Sequence, residues 1–132
     1  MPVVHAADAI QHDLHGSCFT SYAAPSRGAK ELCAWRVDVP AGTPGLPHTV
    51  TREEVLFVLN GTLHVSLSDT LETIDTSPPQ ISRAGDAIVV PPGTTLRLAN
   101  NGDEPASAWV TTSVGLEAVL PDGSRLAPPW TR

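Results

Sequence analysis

Two side chains near the middle of the chain could move protons together. His48 and Glu54 lie six positions apart, in a stretch rich in Val, Leu and Thr that is typical of β-strands. A carboxyl group turned into an apolar interior is costly to ionise unless it has a partner, so we expect Glu54 to pair with His48. Burial and mutual charge bring both pKa values toward neutrality, which suits acid–base catalysis. The pair could also be purely structural, and the sequence leaves that choice open.

The other reactive side chains have less favourable surroundings. Cys18 and Cys33 have no base near them in the sequence, and the chain shows no export signal, so we expect two reduced thiols. His12 and His15 lie near the start of the chain among acidic residues, where we expect a solvated segment. The sequence also lacks a phosphate-binding glycine loop.

Short strands must position these side chains. The chain has 132 residues, and its 13 Pro and 10 Gly are spread between short apolar segments. This spacing is typical of an all-β sandwich or barrel. We predict strands near 18–23, 31–39, 54–59, 62–67, 85–90, 95–99 and 106–114. Alternation along the second of these segments puts Cys33, Trp35, Val37 and Val39 on one face.

The sequence Asn60-Gly61, between two apolar runs, predicts a tight hairpin. A type I′ turn requires positive φ at both central residues, which Asn and Gly tolerate. In that hairpin Glu54 would lie opposite Leu67, and paired residues share a face. We therefore expect Glu54 to point into the barrel and His64 to lie on the outer face, away from any internal site.

The spacing of eight residues resembles that of the cupin family. Four of them fit the first cupin motif and four fit the second, in the right order, so that eight of the ten fixed positions match: Gly42, His48, Glu54 and Gly61, then Gly85, Pro91, Gly93 and Asn100. The resemblance implies an all-β, cupin-type jelly-roll barrel, also called a double-stranded β-helix. We expect one domain over residues 1–132, with the barrel over about 17–118, a leader over 1–16 and a tail over 119–132.

The two motif positions that do not match are metal-ligand positions in the family. Metal-binding cupins use two His and one Glu from the first motif and one His from the second. Here Val50 and Leu96 replace two of those histidines, so only His48 and Glu54 remain. Two ligands fall short of the three that a catalytic zinc normally has. We therefore expect no bound metal and no other cofactor.

The resemblance also implies an internal cavity that takes a small molecule. Strand alternation predicts that apolar side chains line it, with one arginine at its mouth: Val50, Arg52, Leu56, Val58, Val65, Leu67, Ile88, Val90, Leu96 and Leu98. One hypothesis is a metal-independent isomerase, cyclase or lyase that acts on a small apolar substrate through His48 and Glu54. The alternatives are a non-catalytic binding or sensing module and, less favoured, a metal-dependent oxygenase or isomerase.

Charge and apolar content limit the partners. The 8 basic and 14 acidic residues give a net charge of −6, which disfavours binding to nucleic acid or to an anionic membrane. No apolar run is long enough to cross a membrane. Because the sequence shows no export signal, we expect a cytoplasmic protein. Cupins commonly form dimers, and the resemblance implies a homodimer. We expect Phe57 and His64 on the outer face, with Trp130 in the tail, to supply apolar surface for it.

Overall fold

Residues 2–132 form two antiparallel β-sheets that face each other, as described by a computed structural model. Within that range twelve strands are present: β1 Ile10–Leu14, β2 Ser17–Ala23, β3 Leu32–Val39, β4 His48–Val50, β5 Glu54–Asn60, β6 Thr62–Ser68, β7 Gln80–Arg83, β8 Ala87–Val90, β9 Thr95–Ala99, β10 Ala106–Ser113, β11 Ala118–Val119 and β12 Arg125–Leu126. Short 3₁₀ helices cover Ala6–Asp8, Pro25–Arg27, Ile74–Thr76 and Pro129–Thr131. No helix in the described chain is long and apolar enough to span a membrane.

Each sheet contains six strands. The first has the order β1-β2-β3-β10-β5-β8, and the second has the order β12-β11-β4-β9-β6-β7. Strands that are consecutive in sequence therefore often lie in different sheets, as in a jelly roll. The predicted all-β jelly-roll fold is confirmed.

The core lies between the sheets and is built by strand alternation. Successive side chains of a strand point to opposite faces, so every second residue is internal. Trp35 and Val37 on β3 are buried, as are Leu56 on β5, Val65 on β6 and Val110 on β10. Burying a side chain of this size contributes roughly 1.5–3 kcal/mol. The predicted inner face of β3 is confirmed.

The predicted hairpin between β5 and β6 is wrong. The two strands do not pair: β5 lies between β10 and β8, and β6 lies between β9 and β7. Gly61 has φ +72°, whereas Asn60 does not adopt the positive φ that a type I′ turn requires. The chain instead crosses between sheets at Gly61, where a Cβ would lie 2.5 Å from the carbonyl oxygen of Pro105. The predicted inward orientation of Glu54 is still correct, because the alternation of side chains along a strand does not depend on which strand pairs with it.

Both ends of the chain extend the sheets beyond the limits of 17 and 118 expected for the barrel. Strand β1, in the expected leader, pairs along its length with β2 through a turn at His15-Gly16. In the tail, β11 pairs with both β4 and β12. Trp130, expected to supply exposed surface, is only 5% exposed. The ends add to the core, since Trp130 belongs to it and Leu14 packs against it.

Candidate functional site

A partly enclosed cavity of about 100 Å³ lies between the two sheets. Its wall is mostly aliphatic and aromatic, and its polar side chains include His48 and Glu54. Small-molecule sites commonly combine an apolar wall with a few polar groups in this way. An empty apolar space of this order accommodates a small ring, so the cavity is a candidate binding site.

Glu54 reaches the cavity wall from the first sheet. It is the first residue of β5, where its partners are Val90 on β8 and Thr112 on β10. The alternation that turns Leu56 inward also turns Glu54 inward, while Val55 points to solvent. Only 5% of Glu54 is exposed. A central strand thus holds a carboxyl group within apolar surroundings.

No protein group neutralises the Glu54 carboxyl. Within residues 2–132 the side chain has neither a hydrogen bond nor an ion pair. Burial raises its pKa to about 7, because desolvation disfavours the charged form. Both protonation states are therefore accessible near neutral pH. A buried carboxyl group with this property is a candidate proton donor and acceptor.

His48 faces the same cavity from the second sheet. It begins β4, and its cross-strand partner is Leu96 on β9. Its Nδ1–H donates to the backbone oxygen of Leu46 at 3.1 Å, which leaves Nε2 as an acceptor. Burial lowers the His48 pKa; the Leu46 carbonyl opposes that effect and the nearby His15 reinforces it. His48 is therefore a neutral imidazole near pH 7.

The expected direct pair between His48 and Glu54 is wrong. Among the described residues no ion pair within 4.0 Å includes either side chain. The two residues lie on facing sheets, and packed sheets are typically about 10 Å apart. Both side chains line the same cavity, so a molecule bound there could meet both.

Four of the ten predicted ligand-binding residues are in the cavity wall, namely Val50, Leu56, Leu96 and Leu98. The other six are not: Arg52, Val58, Val65, Leu67, Ile88 and Val90. Four of these six are buried in the core instead: Val58, Val65, Ile88 and Val90. Leu67 packs against that core, and the Arg52 guanidinium lies beside Gly115. Strand alternation predicts which side chains point inward, but not which of them border the cavity.

The largest group of wall residues missed from the sequence comes from the chain ends. Leu14 and His15 come from the first hairpin, and four more come from the tail: Leu120, Leu126, Pro128 and Trp130. No pattern in the sequence predicts that the tail folds inward. Trp35 was also omitted from the predicted wall, although its predicted place on the inner face of β3 could have indicated it.

The tail residue Trp130 is fixed in place by several contacts. Its ring stacks on Phe19 with centroids 3.8 Å apart and planes 6° from parallel. Ser21 Oγ donates to the backbone oxygen of Trp130 at 2.9 Å. Cys33 Sγ donates to the Thr131 oxygen at 3.4 Å. One wall of the cavity therefore depends on the last residues of the chain.

Neither cysteine lies in surroundings that would lower its pKa and so make it a better nucleophile. Both are free thiols, Cys18 half-buried and Cys33 buried. Burial raises the pKa of Cys33, and burial together with the neighbouring Asp13 raises that of Cys18. A raised pKa lowers the thiolate fraction, so neither thiol is prepared to act as a nucleophile.

The residues present do not fit the metal of metal-binding cupins. Val50 and Leu96 at the missing ligand positions are 0% and 2% exposed, and they place apolar surface beside His48 and Glu54. Within residues 2–132 no three His, Cys, Asp or Glu side chains are grouped to hold an ion. His64 is no substitute, since its Nδ1 accepts the Asn101 N–H at 3.0 Å. The donor set is therefore one imidazole and one carboxyl group.

Comparisons with known proteins agree with this architecture. A family model described as "Cupin domain" matches residues 35–113. No curated protein matches the chain.

Similar solved structures include enzymes of different reaction types. A polyketide cyclase, RemF from Streptomyces resistomycificus, is 18% identical and has a TM-score of 0.73; the alignment covers 86% of this chain and 79% of that one. A sugar phosphate isomerase from Silicibacter pomeroyi is 16% identical over 92% and 82% of the two chains, with a TM-score of 0.70. KdgF from Halomonas sp. is 20% identical over 85% and 94%, with a TM-score of 0.65. At these identities the likeness establishes the fold alone.

Proposed function

Because the chain belongs to the cupin family, we propose that its barrel binds a small, mostly apolar molecule and catalyses a metal-independent proton transfer on it. The reaction class is isomerisation, cyclisation or elimination. The observation that carries the proposal is Glu54, a carboxyl group without a protein partner, buried in the wall of an apolar cavity, with a pKa of about 7.

Glu54 supplies the chemistry in this proposal. Near neutral pH its carboxylate form can take a proton from carbon or oxygen, and its acid form can return one. Apolar surroundings strengthen the electrostatic attraction between the carboxylate and the proton that it removes, because water does not compete for the carboxylate. A positioned acid or base of this kind typically accelerates a reaction by about 10²–10⁴-fold.

His48 adds a second polar group to the same cavity. With Nδ1–H bound to Leu46, its Nε2 can accept a proton or a hydrogen bond from a bound molecule. Isomerisation and cyclisation both require a proton to leave one atom and another to arrive elsewhere. The similarity to a polyketide cyclase and to a sugar phosphate isomerase supports this range of reactions.

The ring opening of 5-nitrobenzisoxazole tests the proposal. A base removes the C3 proton, the C–H electron pair forms the nitrile, and the N–O bond breaks to release a coloured phenolate. We expect the wild type to accelerate this step, with a rate that rises as the pH increases through about 7, because the carboxylate of Glu54 is the active form. Glu54→Gln should lose about 10²-fold or more.

Glu53→Gln is the matched control, because Glu53 is the exposed neighbour of Glu54. It should retain the wild-type rate. Binding of the probe without any acceleration would instead indicate the non-catalytic binding module. A Glu54→Gln variant as fast as the wild type would show that Glu54 is not the base.

A further inference from the structure

The turn between β1 and β2 holds a histidine in an uncommon backbone conformation. His15 has φ +51° and is the one residue other than glycine with positive φ among residues 2–132. Gly16 follows it with φ +83°, and Leu14 pairs with Ser17, so the two residues form a tight turn with positive φ at both positions. Asn, Asp and Gly are preferred in such turns, so turn chemistry alone does not explain a histidine here. A residue in a sparsely populated conformation is a candidate functional residue.

His15 lies where the cavity opens to solvent. The turn is part of the cavity wall, because Leu14, His15 and Ser17 all line it. His15 is exposed, whereas every other wall residue of the described chain is buried or half-buried. The charge of the His15 ring also contributes to the lowered pKa of His48, which shows that the two rings lie near each other. The His15 ring therefore borders the opening on the side of His48.

The His15 ring has no partner within residues 2–132. The histidine side chains that form hydrogen bonds there are His48 and His64, and no ion pair includes a histidine. The acidic residue nearest to His15 along the chain, Asp13, alternates to the face opposite Leu14 and lies beside Cys18. The ring is thus available to a molecule in the cavity.

His15 is also the wall residue best placed to carry a positive charge. Within the described chain the cavity wall contains no Lys or Arg, and its titratable side chains are His15, His48 and Glu54. Burial keeps His48 neutral near pH 7, whereas the His15 ring is in contact with water. An imidazole N–H bonds most strongly to an ionised acceptor such as a carboxylate.

We propose that His15 is a specificity-determining residue that binds a carboxylate group of the ligand at the cavity opening. The carboxylate stays at the opening because moving it into the apolar interior would cost its hydration. The apolar part of the molecule lies farther in, beside Leu56 and Leu96. This inference rests on the proposed function, since it requires the cavity to bind a ligand, and it narrows the ligand class to small, mostly apolar carboxylates. His15 selects the acidic end, and Glu54 exchanges the proton.

Benzoate and benzamide test the inference, because they have nearly the same shape and only benzoate is charged. Their affinities are measured by isothermal titration calorimetry at neutral pH for the wild type and for His15→Asn. Asparagine suits this turn, so the variant should fold, but its side chain cannot carry a charge. We expect the substitution to weaken benzoate binding about threefold or more and to change the affinity for benzamide by less than about 1.5-fold.

His5→Asn is the matched control, because His5 is an exposed histidine outside the cavity wall. It should leave both affinities at their wild-type values. Equal losses for the two probes in His15→Asn, or an unchanged affinity for benzoate, would overturn the inference. A wild type that binds neither probe, or both equally well, would overturn it as well, while the Glu54-dependent ring opening separately decides the proposed function.

Discussion

At the scale of single residues, the chemistry depends on what surrounds one carboxyl group. In the metal-binding pattern of cupins, Glu54 would be one ligand of four, but Val50 and Leu96 replace two of the others. Glu54 itself is buried, and the desolvation that burial causes raises its pKa. In the function that we propose, this carboxyl exchanges a proton and does not bind a metal.

The raised pKa of Glu54 predicts a pH-dependent stability. The value is 4.5 for an unperturbed group and about 7 in the folded chain, so between these values the folded state binds more protons than the unfolded state. The contribution of the protonated group is complete below about pH 4.5 and is lost as the pH rises through about 7. It amounts to roughly 3 kcal/mol. Urea unfolding of the wild type below pH 4.5 and above pH 7 should show this fall.

Comparison with Glu54→Gln separates the contribution of Glu54 to the pH dependence of stability from that of all other titrating groups. Glutamine has nearly the same shape but does not ionise, so the fall in unfolding free energy should be smaller in Glu54→Gln by about that amount. Glu53→Gln, on the exposed neighbour, should behave like the wild type. Parallel pH profiles for the wild type and Glu54→Gln would mean that the carboxyl is solvated in the folded protein.

At the scale of secondary-structure elements, local sequence patterns predict where strands lie and which side chains point inward, but not which strands pair with each other. The inward orientation of Glu54 and Leu56 follows from side-chain alternation along β5. The Asn60-Gly61 prediction failed because the same dipeptide can close a hairpin or let the chain cross between sheets. That choice is made by long-range pairing with β10, which no local pattern encodes.

The candidate site was predictable in its residues but not in their arrangement. Glu54 and His48 follow from motif spacing, but their separation depends on which sheet each strand joins. The aromatic wall was not predictable, because Trp130 comes from a Pro-rich tail with no periodicity. Its position depends on tertiary contacts with Phe19 and Ser21.

At the scale of the whole molecule, the outer face of the first sheet carries exposed apolar side chains. Val55 and Val89 are cross-strand neighbours that are 38% and 55% exposed, and Phe57 is 45% exposed. Trp130 does not add to this surface, because it is buried. Apolar patches of this kind commonly mark protein interfaces.

We accordingly expect a homodimer that covers this face. Multi-angle light scattering should give about twice the chain mass of 13.9 kDa at micromolar concentration. Phe57→Lys should shift the mass toward that of one chain, because a charge at a covered position is costly to desolvate. A wild-type mass near 13.9 kDa would contradict the expectation without affecting the cavity.

The proposed proton transfer requires a Glu54 carboxyl that titrates near neutrality inside the barrel. A ¹³C NMR titration of glutamate side-chain carboxyl carbons measures this directly, with Glu54→Gln to assign the resonance. We predict one carboxyl with a midpoint of about 7 that is absent from the variant. A Glu54 midpoint near 4.5 would contradict the proposed proton transfer, because the carboxyl would then be an ordinary ionised group.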